Sequence, residues 1–184
     1  MLSMLPNILT VLRIVLIFPF VIALHEEQFK LAFFILFAAG LTDALDGFLA
    51  RKFDWSSRFG GFLDPIADKL LMFSSFVALS LAQLLPWWIS ILVIVRDIYI
   101  IAGATYYHFF IGKFKPTPTK LSKLTTALLM LLVLMALGNA AWPMISFMWI
   151  KTLTWVVAVA AFCTAFQYTW IWTKKALELK HAQE

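Results

Sequence analysis

Apolar runs of close to bilayer-crossing length recur along almost the whole chain, and they leave few folds open. They fall at residues 8–24, 29–49, 60–84, 88–111, 124–137 and 150–173. In hydrocarbon, every backbone N–H and C=O has to be satisfied within the protein, so a run of about 20 apolar residues spans as a helix. The 184 residues are 62% hydrophobic and 16% aromatic, and mean hydropathy is +0.89. That is too apolar for a water-soluble domain. The expectation is an all-α integral membrane protein, one domain over residues 1–184. It has six transmembrane helices preceded by a short N-terminal interfacial segment, with Pro6-Asn7 as the break where the first helix begins.

The breaks between the runs carry the charge. Arg51, Lys52, Arg58, Lys113, Lys115, Lys120, Lys123, Lys174, Lys175 and Lys180 fall on one side of a six-span topology, and only Lys30 and Lys151 on the other. The positive-inside rule then places the first side, with both termini, in the cytoplasm. A formal charge of +5 concentrated in loops and tail suits anionic lipid headgroups. With no basic-aromatic groove, a nucleic-acid partner is not expected. The single cysteine, Cys163, excludes an internal disulfide framework. The first run lacks a basic n-region and an Ala-x-Ala exit, so no cleavable signal is predicted. The tryptophans at 87, 88, 142, 149, 170 and 172 read as interfacial anchors.

One stretch breaks the apolar pattern. Residues 42–69, TDALDGFLARKFDWSSRFGGFLDPIADK, hold five of the ten acidic side chains. At about 100° per residue, Asp43, Asp46, Gly47 and Ala50 share one sector of a helix, as do Gly60, Asp64, Ala67 and Asp68 of the next. A short polar loop makes the two helices antiparallel neighbours whose acidic sectors can face each other. Pro65 reads either as the start of a helical turn capped by Asp64 or as a kink. Four carboxylates converging at membrane depth cannot all ionise without cations. Oxygen ligands with no histidine or cysteine nearby favour Mg²⁺ or Mn²⁺ over zinc. Two such ions bridging acidic pairs suit a diphosphate substrate and its leaving group. Arg51, at the cytoplasmic end of the same helix, is placed to grip phosphate oxygens. The structural alternative is a set of ion pairs among Asp43, Asp46, Arg51, Lys52 and Lys69 that holds the loop.

The pattern Asp43-x2-Asp46-Gly47-x2-Ala50-Arg51-x8-Gly60-x3-Asp64-x3-Asp68 resembles the full signature of the CDP-alcohol phosphatidyltransferase family, with no departures. The resemblance implies transfer of a substituted phosphate from a CDP-linked donor to an alcohol with release of CMP, in phospholipid biosynthesis. It implies Asp43, Asp46 and Asp64 as metal ligands for the cofactors Mg²⁺ or Mn²⁺, two ions in all. Asp68 would be the catalytic base on the acceptor hydroxyl and would also touch a metal. Gly47, Ala50, Arg51 and Gly60 would shape the CDP pocket. It also implies a homodimer in a bacterial-type inner membrane, with the active site facing the cytoplasm.

Leu5-Pro6-Asn7-x2-Thr10-x2-Arg13 and Gly61-Phe62-Leu63-Asp64-Pro65-Ile66-Ala67-Asp68-Lys69 resemble the phosphatidylglycerophosphate synthase and cardiolipin synthase branch. Both groups take CDP-diacylglycerol as donor; the acceptor is glycerol 3-phosphate in one and phosphatidylglycerol in the other. Ser122-Lys123-Leu124-Thr125-Thr126 is closer to the cardiolipin synthase form, and the acceptor stays open between the two. Arg13, Arg96 and Lys123 are the candidate acceptor-binding residues. Arg13 has snorkelling, or pairing with Asp97 or another acid, as its alternative, and Arg96 has a structural pair with Asp97. Two other function classes fit part of the pattern. A membrane prenyltransferase would hold Mg²⁺-diphosphate on paired acidic motifs but would not need Gly47, Ala50-Arg51 and Gly60 at this spacing. A cation transporter would use the carboxylates as its ion site, yet no second acidic motif occurs in the other half of the chain.

Overall fold

A computed structural model describes the backbone of residues 5–53, 60–110 and 119–181, and the side chains of 8–42, 66–107 and 119–174. Among the described residues the fold is all helical. The helices are α1 (Leu5–His25), α2 (Phe29–Phe53), α3 (Gly60–Leu81), α4 (Trp87–Phe110), α5 (Lys120–Ala141) and α6 (Phe147–His181). Six helices therefore stand where six spans are expected. Among the described residues, four helices carry a stretch long and apolar enough to cross a membrane: α1, α4, α5 and α6. The described part of α2 adds a shorter apolar stretch, Phe29–Thr42.

Boundaries differ from the sequence reading for identifiable reasons. Leu5–Asn7 belong to α1, so the described part of the expected interfacial segment is simply that helix's first turn. Residues 1–4 lie outside the described set. Helix α3 runs through position 65, so Pro65 does not open a turn and Asp64 is not a cap. It also ends at Leu81 rather than at residue 84. The reason is Gln83 at φ 57°, with Gln83 N–H donating to Ser80 O and Leu84 N–H to Leu79 O. That is a Schellman stop. The same device ends α1, where Glu27 has φ 57° and Gln28 N–H donates to Ala23 O. A side chain in left-handed backbone is strained, whereas glycine is not. Gln83→Gly is therefore expected to raise stability by about 0.5–1 kcal/mol, the relief of strain outweighing the entropy of the unfolded chain. A higher midpoint in a detergent thermal melt checks it. Helix α5 begins at Lys120 rather than near residue 124, because the Thr119 hydroxyl oxygen accepts from Ser122 N–H at 3.1 Å as a cap.

The chain forms two compact units, Met1–Trp87 with Val133–Ser146, and Trp88–Leu132 with Phe147–Glu184. In the first, α1 packs on both α2 and α3. Its buried stripe is Thr10, Arg13, Phe20, Ala23 and Leu24, while Val11, Val15, Phe18 and Ile22 are exposed. That is a helix with one face on protein and one on lipid. Ala32, Leu36 and Ala39 line the buried face of α2, and Ala67, Leu71, Ser75 and Phe76 that of α3. Small residues at these positions let backbones approach closely, which drives helix association where no hydrophobic force separates protein from lipid. The Phe33 ring meets Trp142 edge-on at 5.3 Å.

In the second unit, polar threads join the helices. Thr125 and Thr164, both fully buried, share a hydrogen bond at 2.8 Å, and Tyr99 and Thr169 another at 2.7 Å. Bonds of this kind contribute about 1 kcal/mol each in a membrane. Gly103 leaves room for the Trp172 ring, since a Cβ there would collide with ring atoms Cζ3 and Cη2. Trp142 and Trp172, read from sequence as interfacial anchors, are thus packing residues between helices.

Candidate active site

The signature residues occupy two successive helices of the first unit. Asp43, Asp46, Gly47, Ala50 and Arg51 lie on α2, and Gly60, Asp64 and Asp68 on α3. The side chains of all of these except Asp68 lie outside the described residues, as does the loop 54–59. The described residues contain no group of three or more metal-capable side chains, because Asp68 is the one member of the acidic set among them.

Asp68 is well defined. Its carboxylate is half exposed, and Oδ1 accepts a hydrogen bond from Nη1 of Arg13 at 2.5 Å. The Arg13 side chain itself is fully enclosed, with 0% exposure. On α3, Ala67 next to Asp68 is also fully buried. The structure therefore brings Arg13 to the signature's last aspartate. A charged side chain inside a membrane helix is costly and pairs where it can, and α1 lies against α3. From sequence, the solitary arginine of the first apolar run announces that a partner exists. Pairing with an acid is the alternative that the sequence offers for Arg13, and which of several acids supplies it depends on how α1 rotates against α3.

Arg96 and Asp97 do form the pair offered as the structural alternative. Arg96 Nη1 donates to Asp97 Oδ1 at 2.6 Å and Nη2 to the Ser122 hydroxyl at 3.3 Å. Arg96 is 5% exposed and Asp97 17%. Arg96 Nε has no hydrogen-bond partner among the described residues. The contact with Ser122 sets Arg96 beside the Ser122-Lys123 motif at the start of α5. Lys123 is exposed there, its backbone N–H bonded to Thr119 O at 3.1 Å. Two of the three candidate acceptor residues, Arg96 and Lys123, thus lie in the second unit, while Arg13 lies in the first. Lys120 is exposed in the first turn of α5, and Lys113 and Lys115 fall outside the described residues.

A family model described as CDP-alcohol phosphatidyltransferase matches residues 3–172. The chain is 41% identical over 100 residues to a probable phosphatidylglycerophosphate synthase of Mycobacterium tuberculosis, covering 51% of this chain and 48% of the relative. It is 32% identical over 180 residues to a probable cardiolipin synthase (CMP-forming) of Drosophila melanogaster, covering 89% of this chain and 56% of the relative. A CDP-diacylglycerol–glycerol-3-phosphate 3-phosphatidyltransferase of Haemophilus influenzae is 43% identical over 103 residues, covering 53% of this chain and 55% of the relative. The chain spans about half the length of these curated relatives.

Proposed function

The chain belongs to the CDP-alcohol phosphatidyltransferase family, and from that premise we propose that it transfers the phosphatidyl group of CDP-diacylglycerol to a glycerol-type alcohol, releasing CMP, in phospholipid biosynthesis. The observation that carries the proposal is the complete eight-residue signature on α2 and α3, ending in a half-exposed carboxylate at Asp68. Membership of this family sets the prenyltransferase and transporter readings aside.

In this reaction the acceptor hydroxyl oxygen attacks the phosphorus that carries diacylglycerol. A new P–O bond forms, the bond to the bridging oxygen of CMP breaks, and CMP leaves with that electron pair. The hydroxyl proton passes to Asp68, which needs only hydrogen-bond reach and an open face. Half of its carboxylate is open. Gly47, Ala50 and Gly60 leave space for the cytidine diphosphate, and Arg51 holds phosphate oxygens. The donor set, carboxylates alone, fits Mg²⁺ or Mn²⁺. Asp43, Asp46, Asp64 and Asp68 would hold the ions. When bound, they supply neutralisation of the diphosphate and of the departing CMP charge. Positioning and charge neutralisation dominate phosphoryl transfer. Arg96 and Lys123 are cations of the kind that suits an acceptor's phosphate. We place the site at the cytoplasmic face of a bacterial-type inner membrane and the working protein as a homodimer.

Of the two acceptors, phosphatidylglycerol is favoured. The relative named cardiolipin synthase aligns over most of this chain, whereas those named for glycerol 3-phosphate align over about half. The Ser122-Lys123-x2-Thr126 form points the same way. The test incubates purified protein in detergent with Mg²⁺ or Mn²⁺, CDP-diacylglycerol and one acceptor at a time: phosphatidylglycerol, glycerol 3-phosphate, inositol phosphate or serine. CMP release with phosphatidylglycerol, together with cardiolipin as product, is expected. Product only from glycerol 3-phosphate would move the protein to the other acceptor. Absence of CMP with every acceptor would sink the phosphatidyltransferase reading itself.

A further inference from the structure

We infer that Arg13 is a positioning residue, which acts on the reaction through Asp68 and does not touch the acceptor. The inference rests on the proposed role of Asp68 and starts from a contrast in exposure. The Arg13 side chain shows no surface, while the Asp68 carboxylate that it holds is half open. A guanidinium with no accessible area has no face to offer a phosphate, so contact with substrate would require α1 to move. The carboxylate, in contrast, takes the Arg13 contact at Oδ1 and still presents half of its surface.

Position 13 suits such a role. It lies on the buried stripe of α1 that includes Thr10 and Phe20, and α1 is seated on both α2 and α3, the two helices that carry the signature. An arginine buried on that stripe and bonded to Asp68 transmits the placement of α1 to the last aspartate of the motif. The carboxylate of an aspartate turns on two torsions, and a charge-assisted hydrogen bond from an immobile donor narrows both. Residues that orient a reacting or ligating group in this way change activity by about 10–100-fold when removed. A lysine would keep the charge but present a single ammonium on a flexible stem in place of a planar fork.

The experiment measures steady-state kinetics on the full-length protein in detergent, with CDP-diacylglycerol and the acceptor that supports turnover, for wild type, Arg13→Gln and Arg13→Lys. Binding of CDP-diacylglycerol and the thermal midpoint are measured alongside. Arg13→Gln is expected to lower kcat about 10–100-fold, with acceptor KM within about threefold of wild type and donor binding kept. Arg13→Lys is expected to fall between the two. A tenfold or larger rise in acceptor KM at unchanged kcat would assign Arg13 to the acceptor and overturn the inference. So would wild-type kcat and KM in Arg13→Lys, even if Arg13→Gln fails to fold, because Arg13 would then be a buried cation that only ties α1 to α3. A wild-type protein that releases no CMP with any acceptor defeats the enzymatic reading. Active wild type with unaffected Arg13 variants defeats only the positioning role.

Discussion

Asp68→Asn is expected to slow CMP release by about 10²–10⁴-fold, the range by which a positioned general base contributes, while CDP-diacylglycerol still binds. The side chain keeps its size and an oxygen that accepts from Arg13, so the contact at Oδ1 survives as a weaker, neutral hydrogen bond. What is lost is the group that takes the acceptor's proton. Because Arg13 is fully enclosed, a neutral partner leaves its charge less well compensated, and the variant is also expected to melt at a lower temperature than wild type. Single-turnover measurement with labelled donor, paired with a donor-binding assay, separates the two roles. Turnover within tenfold of wild type would remove Asp68 as base.

Chelation should have an effect of similar size by a different route. Asp43, Asp46 and Asp64, with Asp68, place four carboxylates on two successive helices, and such a set needs cations to stay ionised. Removing divalent ions with EDTA is expected to reduce CMP release about 10³-fold or more, because several kcal/mol of charge stabilisation disappears from the transition state. Mg²⁺ or Mn²⁺ should restore it, since both accept an all-oxygen set. Asp64→Asn should raise the Mg²⁺ concentration needed for half-maximal activity and reduce the thermal stabilisation that added Mg²⁺ gives. Full activity after chelation, confirmed by metal analysis of the sample, would exclude the metal assignment.

Much of this architecture is legible in the order of residues, and the failures have physical causes. Apolar runs of about 20 residues have few options in a bilayer, so six helices follow from composition read along the chain. Their ends do not follow as well. The stops at Glu27 and Gln83 use left-handed backbone at residues other than glycine, which sequence preference argues against. The start of α5 depends on Thr119, a cap that looks like one more polar loop residue. The packing roles of Trp142 and Trp172 were hidden as well, because an interfacial anchor and an interhelical wedge have the same composition.

The chemistry divides along the same line. Spacing alone places Asp43, Asp46, Gly47 and Ala50 on one helical face and Gly60, Asp64 and Asp68 on another, because a helix has one period whatever surrounds it. Hence the donor chemistry and the family were readable before any coordinates. Pairing across helices has no such period. Arg13 joins Asp68 across 55 residues of sequence, and Arg96 joins Ser122 across 26. Each depends on how one helix rotates against its neighbour, which packing of buried side chains decides. The membrane fold and the signature of the reaction are written in the order of residues, because both rest on local periodicity. That the first helix supplies the enclosed arginine on the last aspartate is a product of packing, because the contact exists only once the helices have come together.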